Sequence, residues 1–344
     1  MKETKIGYTF IVIASVVIVL AGVKSASSIL VPFLLSLFIA IILSPSYNYF
    51  KSKKIPDGFS LLIVMGIFLF LIVLVVKLIG TSVTDFSSNI DMFSEKLSTY
   101  YISIVDYTRA FGLDLSINDI AGFIDSKKIM TFSTSLLQGM SALFTNGFVI
   151  LLTVVFMLLE SSHFMDKIDI ADGKRGTLIH IQEIAVKIQH YMVLKAVISF
   201  FTGVIVWVVL SLIGTDYAFL WGVIAFIFNF IPNIGSIIAA VPAVLITLVQ
   251  LGGFNALLVT GLYISVNIIM GSVIEPKVMG RGLGLSTLVV FLSLLFWGWL
   301  LGLVGMLLSI PLTIMAKIIF DTNENTRWIS VLLGSSGDIN KKKI

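Results

Sequence analysis

Phe228-Asn229-Phe230-Ile231-Pro232-Asn233-Ile234-Gly235 interrupts a run, Tyr217 to Ile274, that contains no Asp, Glu, Lys or Arg. Only a bilayer interior accommodates so much uncharged chain. A polar, helix-breaking octapeptide is costly there unless protein or a water cavity surrounds it, because lipid cannot satisfy the freed backbone groups. The break therefore marks the segment expected to work. Read as one helix, residues 218–250 would reach about 50 Å, well beyond a hydrocarbon core of about 30 Å. Each half, 217–232 and 235–250, would reach about 24 Å, short of a full crossing. Two half-helices in a re-entrant hairpin fit better than one straight pass.

The whole chain supports the same setting. Its 344 residues are 58% hydrophobic and 12% charged, with a mean hydropathy of +1.06, outside the range of soluble domains. The expected fold class is an all-α polytopic membrane protein with about eight membrane segments, two of them broken or re-entrant hairpins, and an external amphipathic helical insertion. The net charge of +4 gathers in short segments beside apolar runs, as the positive-inside rule describes, so no nucleic-acid partner is needed to explain it. The absence of cysteine excludes disulfides, thiolate metal sites and thiol catalysis.

Outward from the break, charge and length set the order of spans. Residues 7–23, after Lys2 and Lys5, form an apolar run with no convincing signal-peptide cleavage site behind it, hence a first span. Residues 28–44 form a second, expected to end at Pro45 because proline disfavours helix at the residue before it. The basic loop Lys51-Ser52-Lys53-Lys54 places itself and the N-terminus in the cytoplasm. Residues 59–79 lead outward to a segment, Asp85–Lys128, whose seven acidic residues outnumber its four basic ones. Within it Phe86, Ile90, Phe93, Leu97, Tyr100, Ile104, Tyr107 and Phe111 form a heptad seam. The seam either packs on its own neighbours or at the membrane interface, or makes a homo-oligomer contact through Phe86, Ile90, Phe93 and Leu97. Ser116-Ile117-Asn118-Asp119 resembles a capping box for a second short helix.

Residues 136–159 return inward. The segment 160–195 then carries five acidic and five basic residues and all three histidines. It reads as a cytoplasmic helix with His180, Glu183, Lys187 and His190 on one face, either simply solvated or, for His180 and His190, sensing protons. Residues 196–213 run outward again, and 254–274 lead back to Glu275-Pro276-Lys277-Val278-Met279-Gly280-Arg281-Gly282-Leu283-Gly284, whose basic balance favours the cytoplasm. From Gly282 to Ala316 there is no charge, and Gly298, Gly302, Gly305 and Pro311 suggest a second hairpin. Its return places Lys317, Arg327 and the C-terminal Lys341-Lys342-Lys343 inside. The resulting organisation is three spans over 1–79, an insertion over 80–135, a span and helix over 136–195, a transport core over 196–320 and a cytoplasmic tail over 321–344. Gly235 with Pro242 and Gly305 with Pro311 read either as a distant repeat, one residue out of register, or as chance similarity between Gly-rich spans, and paired Gly/Pro-interrupted segments point to transporter binding sites.

No GxxxxGK[ST] loop signals ATP use, so energy would come from a gradient, with Na⁺ or H⁺ as coupling ion and no cofactor. No HExxH, metal-ligand cluster or activated nucleophile points to an enzyme. Asn229, Pro232, Asn233 and Gly235 combine amide groups with a carbonyl that Pro232 leaves unpaired, a set able to bind a small polar solute or a bare cation. The two asparagines equally suit capping of the broken helix ends. Asn267 lies in the next span, as a helix-to-helix hydrogen bonder or part of the substrate path. Glu275, Lys277 and Arg281 serve either as interfacial anchors or as gating and proton-carrying groups.

Phe230-Ile-Pro232-Asn-Ile-Gly235 followed by Pro242, and Glu275-Pro-Lys-Val-Met-Gly-Arg-Gly-Leu-Gly284 followed by Gly302-Leu-Val-Gly305 and Pro311, resemble the autoinducer-2 exporter family. The resemblance is specific over about 190–315, and the order of spans extends it to the rest. It implies an eight-segment permease of the bacterial inner membrane, oligomeric, with export of a quorum-sensing furanone or sodium/proton exchange as the proposed activities. Asn233 and Ser236 stand where the family usually carries an aromatic residue and a proline, and Ser286-Thr287 replaces a common proline, so the substrate is not carried over. The expected function is gradient-driven secondary transport of a small molecule or cation by alternating access, in contact with membrane lipid; the alternative is a passive channel or a structural membrane component.

Overall fold

Apolar sequence of this length satisfies its backbone polar groups within each segment only as helix, and helix is what the chain forms. The computed structural model describes residues 2–89, 147–172, 175–232, 234–279, 284–322 and 324–334, with a few positions between 92 and 135. Most of the expected insertion lies outside the described residues. Among the described residues five helices are long and apolar enough to cross a membrane: Ser27–Ser52, Asp57–Phe86, Val186–Ile213, Gly253–Val278 and Thr287–Leu307. Shorter apolar helices accompany them, including both halves of the central run. The chain is an all-α polytopic membrane protein. It divides into two compact units, one of Met1–Val64, Asn146–Val193 and Arg281–Ile344, the other of Met65–Thr145 and Leu194–Gly280.

In the first unit, α1 (Lys2–Ser25) and α2 (Ser27–Ser52) meet at a one-residue joint. Helix α2 does not stop at Pro45: it carries both Pro32 and Pro45 and continues to Ser52. Each proline deletes one backbone donor, and side chains and neighbouring helices re-satisfy the freed groups. One turn beyond Pro32, Ser36 Oγ donates to Pro32 O at 2.7 Å and lies 3.2 Å from Ile150 O of α4 (Gly147–Asp172), a polar contact from α2 to that helix. After α3 (Asp57–Ser88), which runs on into the second unit, and α5 (Arg175–Ile213), which joins the two units' sequence, this unit resumes at α10 (Thr287–Leu307), α11 (Ser309–Thr322) and α12 (Arg327–Leu333). Helix α10 is broken at Gly302, whose φ of 66° and ψ of −147° fall where only glycine is comfortable. The chain then folds back, and Trp297 Nε1 donates to Thr313 Oγ1 at 3.0 Å across the bend. The open end is closed by Lys317 Nζ donating to Gly284 O and by a bridge between Leu285 and Gly334.

Helix α5 is one continuous element of 39 residues. The separate cytoplasmic helix and fifth span expected from composition are therefore a single rod of about 58 Å, which no 30 Å core contains whole.

The second unit holds the quoted break. Helix α6 (Ala218–Phe228) is followed by turn residues Asn229–Pro232 and Ile234, then α7 (Gly235–Leu251), α8 (Gly253–Val266), a π-helical segment (Asn267–Ile274) and α9 (Glu275–Met279). Helices α6 and α7 form a hairpin whose ends are tied. Thr215 Oγ1 and Thr247 Oγ1 are 3.1 Å apart, and Gln250 Oε1 accepts from Asp216 N at 2.8 Å. The arms are unequal: α6 has 11 residues and rises about 16 Å, less than expected, whereas α7 has 17 residues and rises about 25 Å, close to the expected length. Helix α6 lies so close to α5 that a Cβ on Gly203 would stand 2.8 Å from Gly222 O.

Candidate functional site

Lys195 is the first charged residue that α5 carries into its apolar half, and it is 97% covered, with 3% of its side chain exposed. Its Nζ donates to both carboxylate oxygens of Glu275, at 2.8 Å to Oε1 and 2.7 Å to Oε2. Glu275 is 20% exposed, so the pair has one dry member and one with a path to solvent. Two such charges leave water only when they satisfy each other. Glu275 was expected near a surface loop; instead the helix continues through it, since the π-helical segment passes directly into α9. A π turn carries one residue more than an α turn needs and is found chiefly at functional sites. It lies here immediately before the carboxylate.

The same face of α5 continues at i+4 and i+7 with Ser199 and Thr202, both buried. Asn229, at the C-cap of α6, donates from Nδ2 to Ser199 Oγ at 2.9 Å. This ties the break to α5 and leaves Asn229 Oδ1 as an acceptor. Thr202, Asn229, Ser236, Tyr263 and Asn267 then line a small cavity, with about 10 Å³ for the centre of a water-sized particle. Beside this polar line, Ile198, Val266 and Met270 form an apolar cluster with Ile205, Leu262 and Ile274, which fixes α5 against α8 and the π-helical segment.

Ser236, Tyr263 and Asn267 also border a larger groove of about 460 Å³ between α7 and α8. Apart from Thr260, whose hydroxyl donates to Ala256 O, its other walls are aliphatic, with Ile237, Val241, Val244 and Ile264 among them. The volume is that of an ordinary small-molecule pocket. Polar groups are thus gathered at one end of an apolar trough.

Of the residues singled out from sequence, Asn229, Gly235, Asn267 and Glu275 come together in this unit. Gly235 is required sterically, because a Cβ there would fall 1.8 Å from Phe228 O. Pro232 sits in the turn, half-buried, and Asn233 lies outside the described residues. Lys277 is exposed on α9, and Arg281 is outside the described residues. From the expected seam, Phe86 and Phe93 are buried and stacked at 5.9 Å, with Phe86 edge-on to Tyr217 and Trp221 in its own chain. Ile90 and Leu97 lie outside the described residues. His190 is exposed, and the side chain of His180 is among those not described.

Sequence reading missed Lys195, Ser199, Thr202, Ser236 and Tyr263. A signal was present: Lys195, Ser199 and Thr202 recur at helical spacing along the rim of an apolar run, a polar stripe where lipid-facing sequence has none.

The profile of the AI-2E family of transporters matches residues 13–325. The AI-2 transport protein TqsA of Escherichia coli K12 is 40% identical over 334 residues, covering 96% of this chain and 96% of that protein. A putative transport protein of the same organism, YhhT, is 38% identical over 325 residues, 94% of this chain and 93% of its own length. A more distant one, YrrI of Bacillus subtilis, is 26% identical over 309 residues, 85% of each. With a profile match over nearly its whole length and relatives of this similarity, the chain belongs to the AI-2E transporter family.

Proposed function

We propose that this transporter is a gradient-driven secondary carrier of a small polar solute, in which the buried Lys195–Glu275 pair is the coupling switch. The name of the Escherichia coli relative points to autoinducer-2 as the first solute to try. The observation that carries the reading is the pair itself: an ammonium almost wholly out of water, held by a carboxylate that keeps partial access to it. Protonating Glu275 removes the charge that compensates Lys195, and the adjoining π-helical segment offers a place to change register when that contact is lost. The groove of about 460 Å³ is the proposed solute path, with Ser236, Tyr263 and Asn267 orienting the polar end. The α6–α7 hairpin is proposed to be re-entrant, its tied ends on one bilayer face and its tip inside. Lys277 and Arg281 are assigned no more than a steering role at the mouth, and no cofactor is required. The proposed setting is the bacterial inner membrane with both termini cytoplasmic.

Purified protein in liposomes, given an imposed proton gradient, should drive autoinducer-2 against its own concentration gradient. Glu275→Gln should abolish uphill movement and leave downhill exchange. Solute that only equilibrates in the unmodified protein, whatever the proton gradient, makes it a channel and overturns the proposal.

A further inference from the structure

The small cavity at the break has a feature that hydrogen bonding inside the protein does not explain. Four buried side-chain polar atoms among the described residues lack a partner, and two of them, Thr202 Oγ1 and Tyr263 Oη, belong to residues lining this one space. Thr202 is 5% exposed and Tyr263 6%. Leaving a hydroxyl buried and unpaired is costly, and two on residues that line one cavity call for a common occupant. The cavity has room for one particle of about water size.

We infer that Thr202, Asn229, Ser236, Tyr263 and Asn267 form a site for a single dehydrated monovalent cation of about sodium size. Three features favour a cation over water. First, each of the five side chains offers a neutral oxygen, so the set supplies hard oxygen ligands around a particle with no hydration shell. Second, the cavity sits against the last turn of α6, where Ala225 and Asn229 line it. A helix C-terminus presents carbonyl oxygens and negative potential, and broken helices in transporters use that end to coordinate cations. Third, Asn229 commits its nitrogen to Ser199, so that its oxygen is the group left for the cavity.

Charge selects the valence. Among the described residues no carboxylate lines the cavity, so a divalent ion would give up its hydration without a compensating anion. Thr202 lies about 10 Å along α5 from Lys195, which puts the cation within electrostatic reach of the ion pair. The site deepens the transporter reading by naming a seat for a coupling ion, and it rests on that reading for its role only, not for its occupancy.

The test is binding on the full-length protein in detergent. Thermal unfolding in NaCl against equal choline chloride, and retention of radioactive sodium, should show saturable stabilisation and binding that calcium does not displace. Thr202→Val and Tyr263→Phe keep shape and remove one hydroxyl each, and each should weaken sodium binding at least tenfold while melting normally in choline. Equal melting in sodium and choline, or unchanged sodium affinity in both variants, overturns the site and leaves a structural water. Sodium binding without any solute transport would keep the site and overturn the transporter. Proton-driven transport without sodium binding would do the reverse.

Discussion

Replacing Glu275 by Leu strands the Lys195 ammonium where 3% of its side chain meets solvent. Breaking a buried pair by removing one partner costs about 3–5 kcal/mol, because the remaining charge is uncompensated. The structure makes the two single replacements unequal. Lys195→Met leaves a carboxylate that is 20% exposed and still reaches water, so its cost should fall nearer ~1–2 kcal/mol on the same scale. Replacing both by apolar residues of similar volume removes both desolvation penalties and should return stability to within about 1 kcal/mol of the parent. The cycle therefore predicts a coupling of about 3 kcal/mol or more. The five tryptophans allow unfolding by sodium dodecyl sulfate to be followed by fluorescence in a mild detergent. A double variant as unstable as Glu275→Leu alone would refute the reasoning, for it would show that the site needs the charges for more than each other. Equal single costs would refute the assigned difference in solvation.

Three further outcomes follow from the breaks. At Gly302 any side chain meets a backbone region that L residues avoid, so Gly302→Ala should destabilise by about 1–3 kcal/mol in the same unfolding assay. Gly235→Ala would press a Cβ to 1.8 Å from Phe228 O, a backbone atom that cannot swing aside, whereas Gly298→Ala meets only the side chain of Met306 at 2.8 Å; the first should cost of order 1–3 kcal/mol or more, the second clearly less. Equal losses would show that the carbonyl contact is not what fixes the hairpin. Because the chain has no cysteine, Phe230→Cys carries a single fluorophore, and quenching by bilayer probes at graded depth should place it about 16 Å below the face where Asp216→Cys labels, as the length of α6 requires. Strong quenching only at the opposite face would show two full crossings.

Much of this architecture was legible because the bilayer restricts the choices. The uncharged run, its interruption and the arithmetic of helix length were enough to expect two shorter helices joined at Phe228–Gly235, and α6 and α7 are these, tied at their ends by the Thr215–Thr247 contact. Where the reading failed, local rules had been applied without the surrounding helices. Pro45 is a strong helix terminator in water, yet α2 continues past it. Glu275-Pro276 looked like a loop because charge and proline coincide, but Lys195 on another helix compensates the charge and allows the helix to run on. That partner is eighty positions away in sequence, beyond the reach of periodicity. The same holds for the cavity, whose Thr202, Asn229 and Tyr263 come from three helices and share no motif.

The two breaks are built by one steric device. Gly235 lies where a Cβ would strike Phe228 O and crowd Ile231, and Gly305 lies where it would strike Trp297 O and crowd Leu301. The one-residue slip between them has a physical origin. The second turn takes eight steps from the contacted carbonyl to the glycine where the first takes seven, and the following proline arrives one step earlier; Pro242 follows Phe228, and Pro311 follows Trp297, by the same fourteen positions. Counted from the contacted carbonyl, Asn229 corresponds to Gly298; counted from the glycine, Ser236 corresponds to Met306. The Met306 side chain packs onto Gly298 and fills the second break with apolar atoms, while at the first break the corresponding pair contributes an amide and a hydroxyl to the wall of the polar cavity. A shared turn has thus been given two linings: one is closed by packing, and the other leaves space beside an amide and a hydroxyl, which is where the proposed ion would sit.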